Sequence, residues 1–334
     1  MRAKLESNNF KILVQEFRNW LETKEMSQSC ITNYPVALAE YFEYLEMVHN
    51  IKHINKVEKK HSTMFKAYLQ IRSNKVTGRG GIHNQSINGT LKGLNNFNKF
   101  IAQCSTIYKY GIQEDYLKVE HAEKIVLDES EVQELMDATY EAYPHAHAQQ
   151  AFGQRDRVIL HLLYSCGLRL NEARWLNISD LDFANTRILV RNGKGNKQRY
   201  VACTGYILDE IRAYIECGRY FFTHRHHNKL CKKRVYKKEQ TPEDQQALLI
   251  GITATRLMSF TPRLNYLKSK TTITKHLTNH ILRHSYGTHM YRRGMKLERI
   301  QRLLGHESVD TTMIYVHLAK QLDDELNNDY NEAV

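Results

Sequence analysis

Apolar residues recur at helical spacing along most of this chain, and few residues interrupt the pattern. Its 334 residues include only 4 prolines and 16 glycines, the residue types that most often end or break a helix. Long helices are therefore permitted. The clearest strand signal lies in residues 187–203, where two β-rich runs flank a turn that contains glycine. Together these features predict a mainly α-helical fold with one small β-hairpin or sheet.

The N-terminal part, residues 1–118, is predicted to be a bundle of four or five helices. Apolar residues in 10–22 and 27–47 follow the helical period, and many of them are aromatic. Two further helical patterns cover residues 62–72 and 86–103. We interpret the aromatic side chains as the core of this bundle rather than as platforms on which nucleic-acid bases stack.

The charge balance points to the kind of partner. The chain carries 48 Lys and Arg against 36 Asp and Glu, a formal net charge of +12 at pH 7. Such a basic excess favours a polyanionic partner such as nucleic acid; the alternative is a soluble basic protein with a solvated surface. No run approaches the ~18 apolar residues of a membrane span, and the first residues show no apolar signal core. We therefore expect a cytoplasmic protein without a membrane partner.

A basic, glycine-rich stretch joins the last two helices of the N-terminal part. It contains Lys75 and Arg79, and a flexible basic loop can follow a phosphate backbone. Both residues are therefore candidates for DNA contact. A solvated surface loop explains the same composition equally well.

Residues 119–334 are predicted to form a second, mixed α/β domain around the hairpin. Its first helix begins in LDESEVQELMDA, where Asp128 or Ser130 is the cap and acids fill the first turn. The later helical patterns cover residues 155–166, 206–216, 243–259, 263–268, 279–293, 297–305 and 309–318. In the tail, leucines at four-residue spacing form one narrow apolar stripe, which predicts docking on its own domain or on a neighbouring protomer.

Residues 223–238 concentrate three His, one Cys and seven Lys or Arg. The spacing of the His and Cys residues matches no common zinc pattern, and the surrounding cations oppose metal binding. We therefore predict no metal and favour a DNA-contacting strip that includes Lys232, Lys233 and Arg234. A solvated insertion is the alternative.

The C-terminal third holds the residues best suited to chemistry on a phosphodiester. His280 and Arg283 stand three residues apart, which places them on one face of a helix. His306 and Tyr315 follow, nine residues from each other. Arg makes paired hydrogen bonds to phosphate oxygens, His can move a proton near neutrality, and Tyr is a nucleophile once its proton is removed.

Two earlier segments add cations of the same kind. Arg169 follows Gly167 closely and precedes Glu172 by three residues. One interpretation is a surface salt bridge between Arg169 and Glu172. Lys194 lies between two glycines in the predicted hairpin turn. A lysine there can swing into a site and donate a proton, although turns often carry exposed lysines.

Taken in order, these motifs resemble the tyrosine recombinase (phage integrase) family. The similar segments are GLR followed by Glu172, GKGNK around Lys194, His-x-Leu-Arg-His from His280, Leu-Gly-His at His306, and Tyr315. The resemblance covers residues 155–318 well and the N-terminal part loosely. It implies a small helical core-binding, DNA-binding domain over residues 1–118. It also implies a catalytic domain of tyrosine-recombinase type over 119–334, with a C-terminal tail helix.

The resemblance also implies a mechanism. Tyr315 attacks a DNA phosphate, a 3′-phosphotyrosyl bond forms, and a 5′-hydroxyl leaves and later rejoins a partner strand, without metal, ATP or another cofactor. Arg169 and Arg283 would hold the phosphate oxygens together with His306, and Lys194 would be the general acid. His280 would support the phosphate or help to move the tyrosine proton, and Glu172 would orient its neighbours.

The implied partner is double-stranded DNA with a specific recombination site, bound by a homotetramer on two paired sites. The implied role is integration and excision of a mobile element or resolution of DNA dimers. Two other classes of protein remain open on the residues alone: a non-catalytic helical DNA-binding regulator, and an enzyme like a type IB topoisomerase. A metal-dependent nuclease ranks last, because the chain offers no clustered carboxylates for two cations.

Overall fold

The chain divides into two compact units, residues 1–122 and 123–334. The structure is a computed structural model, and it describes residues 3–73, 81–104, 114–119, 124–143, 145, 149–191, 198–224, 241–306, 308 and 310–332. Six candidate residues from the sequence lie outside the described residues: Lys75, Arg79, Lys194, Lys232, Lys233 and Arg234.

Unit 1 is a bundle of α-helices. Their bounds are α1 (Asn8–Thr23), α2 (Gln28–His49), α3 (Lys59–Ile71) and α4 (Asn84–Cys104). Serine residues cap the N-termini of the first two helices: Ser7 and Ser27 accept hydrogen bonds from the backbone N–H groups of Phe10 and Cys30, respectively. Asn50, in the left-handed conformation, ends α2.

The aromatic residues of unit 1 form its core. Phe10 stacks on Phe42 with ring centroids 4.0 Å apart, and Phe17 meets Phe97 edge-on at 5.4 Å. All four rings are fully buried. The interpretation of the aromatic stripes as core is therefore confirmed, and burial of these rings helps to stabilise the bundle.

Unit 2 combines helices with one small sheet. Its elements in chain order are α5 (Glu129–Glu141), α6 (Gln154–Leu160), α7 (Leu170–Arg174), β1 (Leu181–Asp182), β2 (Arg187–Val190), β3 (Arg199–Ala202), α8 (Gly205–Ala213), α9 (Arg219–His224), α10 (Pro242–Gln246), α11 (Thr261–Lys268), α12 (Asn279–Arg292), α13 (Leu297–Leu304) and α14 (Asp310–Glu332). The predicted fold class, mainly α with a small sheet, is confirmed.

The sheet is antiparallel in the order β1-β2-β3. β2 and β3 are the two predicted β-rich runs, and Ile188 pairs with Val201 while Val190 pairs with Arg199. Ile188, Val190 and Val201 are buried against the core of unit 2. The first residue of β3, Arg199, therefore lies beside Val190 of β2 at one end of the sheet.

The predicted helix over residues 243–259 is wrong. α10 ends at Gln246, and the chain then forms isolated antiparallel bridges between Asn177 and Ala247 and between Ile250 and Arg256. Leu248, Leu249 and Ile250 are completely buried. A short apolar run that is covered on all sides has no polar face, so its periodicity does not distinguish a helix from extended chain.

The predicted helix over 309–318 and the tail after it are one continuous helix, α14. Leu318 and Leu322 are buried in a cluster with Ile300 and Leu304 of α13. The first part of the tail stripe therefore docks on its own unit. None of the described helices has the length and apolarity needed to cross a membrane.

Candidate active site

A buried carboxylate, Glu172 of α7, lies at the centre of a cluster of arginines. Its side chain is 1% exposed. Arg169, at the N-terminal cap of the same helix, donates to it through its backbone N–H (2.9 Å) and through Nη1 (2.7 Å). Arg283 Nη1 lies 3.8 Å from the same carboxylate. The ion pair between Arg169 and Glu172 does form, but its carboxylate is buried. The interpretation as a surface salt bridge is therefore wrong.

Arg199 completes this cluster, and sequence reasoning missed it. Its Nη1 and Nη2 atoms donate to Oε1 and Oε2 of Glu172 at 2.8 and 2.9 Å, a two-pronged arrangement. Burial alone would raise the pKa of Glu172, but the hydrogen bonds and charges of Arg199 and Arg169 outweigh it and hold that pKa at about 2. The carboxylate is therefore ionised at neutral pH.

Arg283 projects from α12 into the interior of unit 2. Its Nη1 donates to the carbonyl of Gly167 at 2.5 Å, and its Nη2 donates to the carbonyl of Leu304 at 2.7 Å. Burial first, and the neighbouring charge of Arg169 second, lower the pKa of Arg283 to about 10. The guanidinium thus stays charged near neutrality, although it is 5% exposed.

The C-terminal end of α13 holds both of the predicted catalytic arginines. The Leu304 carbonyl accepts from Arg283, and the Gly305 carbonyl accepts from Arg169 at 2.8 Å. Carbonyl groups at the end of a helix carry partial negative charge and stabilise cations. Gly305 ends the helix with φ of +64°, a conformation that glycine adopts without strain. The Leu-Gly-His motif therefore positions guanidinium groups as well as a histidine.

Tyr315 of α14 is fully buried, and its hydroxyl finds no hydrogen-bond partner among the described residues. Burial raises the pKa of this phenol to about 12, against the lowering effect of the charges on Arg283 and Arg169. Its ring packs directly on Gly287 of α12, where an added Cβ would lie 2.5 Å from Cζ of Tyr315. The absence of a side chain at Gly287 is what admits the phenol to this position.

His306 covers the other side of the phenol. The two rings are nearly parallel, at 15°, with centroids 5.9 Å apart. His306 Nδ1 shares a hydrogen bond with the Thr312 hydroxyl at 3.0 Å. Burial first, and the charges of Arg283 and Arg169 next, lower the pKa of His306 to about 4. The imidazole is therefore neutral at pH 7.

Two histidines of α12 lie at different depths. His280 is exposed at the start of the helix, so it borders the cluster instead of entering it. His284, one turn later, lies with its ring 6.0 Å from that of Tyr315, and its buried Nδ1 has no hydrogen-bond partner among the described residues. Burial first, then the charges of Lys124 and His280, lower the pKa of His284 to about 4. The pattern His-x-Leu-Arg-His contained this residue, but the sequence did not single it out.

The structure thus brings together Arg169, Glu172, Arg283, His306 and Tyr315. Three guanidinium groups, with Arg199 included, face a single carboxylate beside a buried phenol. This excess of positive charge suits a phosphodiester, whose charge grows at the oxygens in the transition state. Within the part of the chain that the structure describes, no three His, Cys, Asp or Glu side chains are grouped to hold a metal ion.

Comparisons with known proteins agree on one family. A model of the phage integrase family matches residues 125–322. The tyrosine recombinase XerC of Bacillus subtilis (strain 168) is 28% identical over 326 residues, which cover 96% of both chains. The XerC of Lacticaseibacillus casei (strain BL23) is 27% identical over 322 residues, covering 95% of this chain and 96% of the relative.

Solved structures share the fold. The XerH site-specific recombinase in a pre-cleavage complex with its difH substrate has a TM-score of 0.66 at 18% identity, covering 95% of this chain and 96% of that one. A lambda integrase tetramer bound to a Holliday junction has a TM-score of 0.57 at 13% identity, covering 93% and 78%. At such low identity these likenesses concern the fold alone.

Proposed function

Because the chain belongs to the phage integrase family and is a site-specific DNA recombinase, we propose that Tyr315 is the nucleophile that cuts and rejoins its DNA. The tyrosine Oη forms a bond to the phosphorus, and the bond from phosphorus to the 5′-oxygen breaks. The DNA is then held through a 3′-phosphotyrosyl link. A 5′-hydroxyl of a partner strand reverses these steps and rejoins the DNA, with the phosphodiester energy kept in the covalent bond.

The buried Tyr315 hydroxyl beside two guanidinium groups is the observation that carries this proposal. At a pKa of about 12 the phenol is protonated at neutral pH, so its proton must leave as the bond to phosphorus forms. Arg169 and Arg283 favour the phenolate and would bind the non-bridging phosphate oxygens. The same two cations would thus stabilise both the negative charge on the tyrosine oxygen and the charge on the phosphate oxygens of the pentavalent transition state.

The other side chains have supporting roles in the proposal. A neutral His306 that accepts from Thr312 at Nδ1 keeps its proton on Nε2, where it can donate to the phosphate. Lys194 protonates the leaving 5′-oxygen as general acid. His280, exposed at the rim, contacts the phosphate or receives the tyrosine proton. Glu172 orients Arg169.

The partner in this proposal is double-stranded DNA with a specific recombination site. The net charge of +12 supports a polyanionic partner. Unit 1, with Lys75 and Arg79, and the segment of unit 2 with Lys232, Lys233 and Arg234 would both contact the DNA. By analogy with the tetramer of lambda integrase on a junction, four copies would act on two paired sites, in the cytoplasm. Dimer resolution and mobile-element integration are both consistent with this arrangement.

A suicide substrate tests the proposal. A nicked duplex that carries the element-end sequence beside the gene is incubated with protein without divalent metal, and denaturing gels report covalent protein–DNA adducts. We expect an adduct with the wild type and none with Tyr315→Phe, which should keep its DNA affinity. An adduct that persists in Tyr315→Phe would refute the assignment of the nucleophile.

Three further measurements separate this proposal from a non-catalytic regulator and from a type IB topoisomerase. A non-catalytic regulator would bind a library of sites without any adduct. An enzyme of the type IB topoisomerase kind would relax supercoiled DNA without a preferred sequence. Recombination of two matched sites, lost in Tyr315→Phe, is the outcome expected here.

A further inference from the structure

We infer that Arg199 is a positioning residue of the active site, which acts on the reaction by fixing the orientation of the Glu172 carboxylate that binds Arg169. This inference rests on the proposed function of the same site. Arg199 lies outside every motif that pointed to the family in the sequence, and it comes to the cluster from the sheet, 27 residues after Glu172.

Arg199 binds Glu172 through two hydrogen bonds, and we call this paired contact the clamp. Both of its terminal nitrogens bind Glu172, one to each carboxylate oxygen. The Arg199 side chain is 17% exposed, and its Nε is buried without a hydrogen-bond partner among the described residues. A paired arginine–carboxylate contact fixes the orientation of both planes, so Arg199 sets the orientation of the Glu172 carboxylate.

The charge balance explains why such a clamp matters. Glu172 also contacts Arg169 at 2.7 Å and lies 3.8 Å from Arg283. A carboxylate that served only these two cations would neutralise much of their charge toward a phosphate. Arg199 donates a hydrogen bond to each carboxylate oxygen and supplies a third positive charge that balances the negative charge of Glu172. Glu172 can therefore align Arg169 and Arg283 while their positive charge remains available to the substrate phosphate.

Neighbouring residues make room for this contact. An added Cβ at Gly305 would lie 3.0 Å from Cζ and from Nε of Arg199. The glycine of the Leu-Gly-His motif therefore leaves space for the Arg199 guanidinium as well as ending α13. Arg199 also pairs with Val190 across the sheet, and Lys194 lies between the two in the chain. The clamp thus ties the base of this hairpin to α7.

The first test compares cleavage rates on the suicide substrate for three variants. Arg199→Gln removes the charge and the clamp, and we expect a loss of roughly tenfold to a hundredfold, as when outer partners of reacting groups are removed. Arg199→Lys keeps the charge but cannot bind both oxygens in one plane, so its loss should be smaller. Arg187→Gln is the matched control, because it removes an arginine–aspartate pair with Asp182 in the same sheet, and it should cleave at the wild-type rate.

A pH profile separates positioning from a merely structural effect. The charged groups that face Glu172, among the described residues, are Arg169 from α7, Arg283 from α12 and Arg199 from β3. With its pKa at about 2, Glu172 stays ionised across the assay range in the wild type. Without Arg199 the effect of burial is less opposed, so the pKa of Glu172 rises and the carboxylate is lost on acidification. The cleavage rate of Arg199→Gln relative to wild type should therefore fall from about pH 8 to about pH 5.5.

A double-mutant cycle with Glu172→Gln completes the test. If Arg199 acts through Glu172, the double variant should cleave no more slowly than the slower single variant. Losses that multiply, or a relative rate that does not change with pH, would overturn the inference. If Arg199→Gln does not fold, the Arg199→Lys variant decides, and a wild-type rate for it would also overturn the inference. No adduct with the wild type would instead count against the proposed function itself.

Discussion

At the residue scale, the environment of each ionisable group determines what it can do. His284 and His306 have pKa values of about 4 because burial and nearby cations disfavour a second proton. The identity of His306 predicted proton transfer near neutrality, but the folded site holds this histidine neutral. In the proposed mechanism, His306 is therefore a neutral donor until a phosphate brings negative charge to the site.

A substitution at Gly287 tests how closely the phenol depends on its neighbour. In Gly287→Val, atoms added at Cβ would overlap the Tyr315 ring, whose Cζ lies 2.5 Å from that position. We expect loss of the covalent adduct and a decrease of about 1–3 kcal/mol in the free energy of unfolding, because the core becomes overpacked. Adduct formation on gels and chemical denaturation measure the two effects.

Gly89 provides the matched control for this prediction. It also lies inside a helix, α4, but a Cβ added there meets nothing within 4 Å. Gly89→Val should therefore leave stability nearly unchanged or slightly improved, because valine is a better helix former than glycine. Equal losses in both variants would show that helix conformation, and not contact with Tyr315, is responsible.

At the scale of elements, three helices in succession assemble the part of the site around Tyr315. α12 supplies Arg283 and the gap at Gly287, the end of α13 binds two guanidinium groups, and α14 carries Tyr315. An ion pair of 2.8 Å between Arg292 and Asp323 also joins α12 to α14. The position of the nucleophile therefore depends on how α14 packs on the two helices before it.

Leu322 tests this dependence at a distance from the chemistry. Its side chain is 2% exposed, two turns beyond Tyr315. Leu322→Ala should lower the free energy of unfolding by about 2–5 kcal/mol and slow adduct formation, because the apolar cluster that packs α14 on the two preceding helices loses a buried member. Met313→Ala on the same helix, where the side chain is 40% exposed, should change both quantities little. A wild-type rate of adduct formation in Leu322→Ala would show that the position of Tyr315 is set without this contact.

At the scale of the whole molecule, the histidines that unit 2 shields from solvent set the response of stability to pH. Unit 2 buries several histidines in neutral form, with His161, His284 and His306 each at a pKa of about 4, below the ordinary value of 6.5. The unfolded chain binds protons at these groups between about pH 6.5 and pH 4, whereas the folded chain does not. Their contribution to stability is therefore present above this window and is lost as the pH falls through it.

Acid should thus destabilise the protein well before its carboxylates are protonated. Between pH 7 and pH 5 we expect a histidine such as His161, whose pKa is lowered to about 4, to lower the free energy of unfolding by about 2 kcal/mol or less. Denaturation midpoints at the two pH values measure this change. His161→Gln should reduce the pH dependence, and a substitution of the exposed His276 should not. An unaltered pH dependence in His161→Gln would exclude this histidine as a source.

Helical periodicity predicted the helices of unit 1 and most of those in unit 2, because each has one apolar face against a core. It failed at residues 243–259, where Leu248 and its neighbours are covered on all sides. The motif order identified Arg169, Arg283, His306 and Tyr315 as one set, and the structure does bring them together. It did not identify Arg199 or His284, whose importance lies in contacts between distant elements.

By itself, the sequence determined most of the helical architecture, the β2–β3 hairpin, the basic charge and the family, because periodicity, composition and motif order are local properties of a chain. Only the tertiary structure decided the electrostatic state of the site. The ionised Glu172, the buried phenol of Tyr315 and the neutral imidazole of His306 depend on desolvation and on charges contributed by α7, β3 and α12. The strength of these effects depends on separation in space rather than along the chain, which is why folding had to bring the groups together before their chemistry could be inferred.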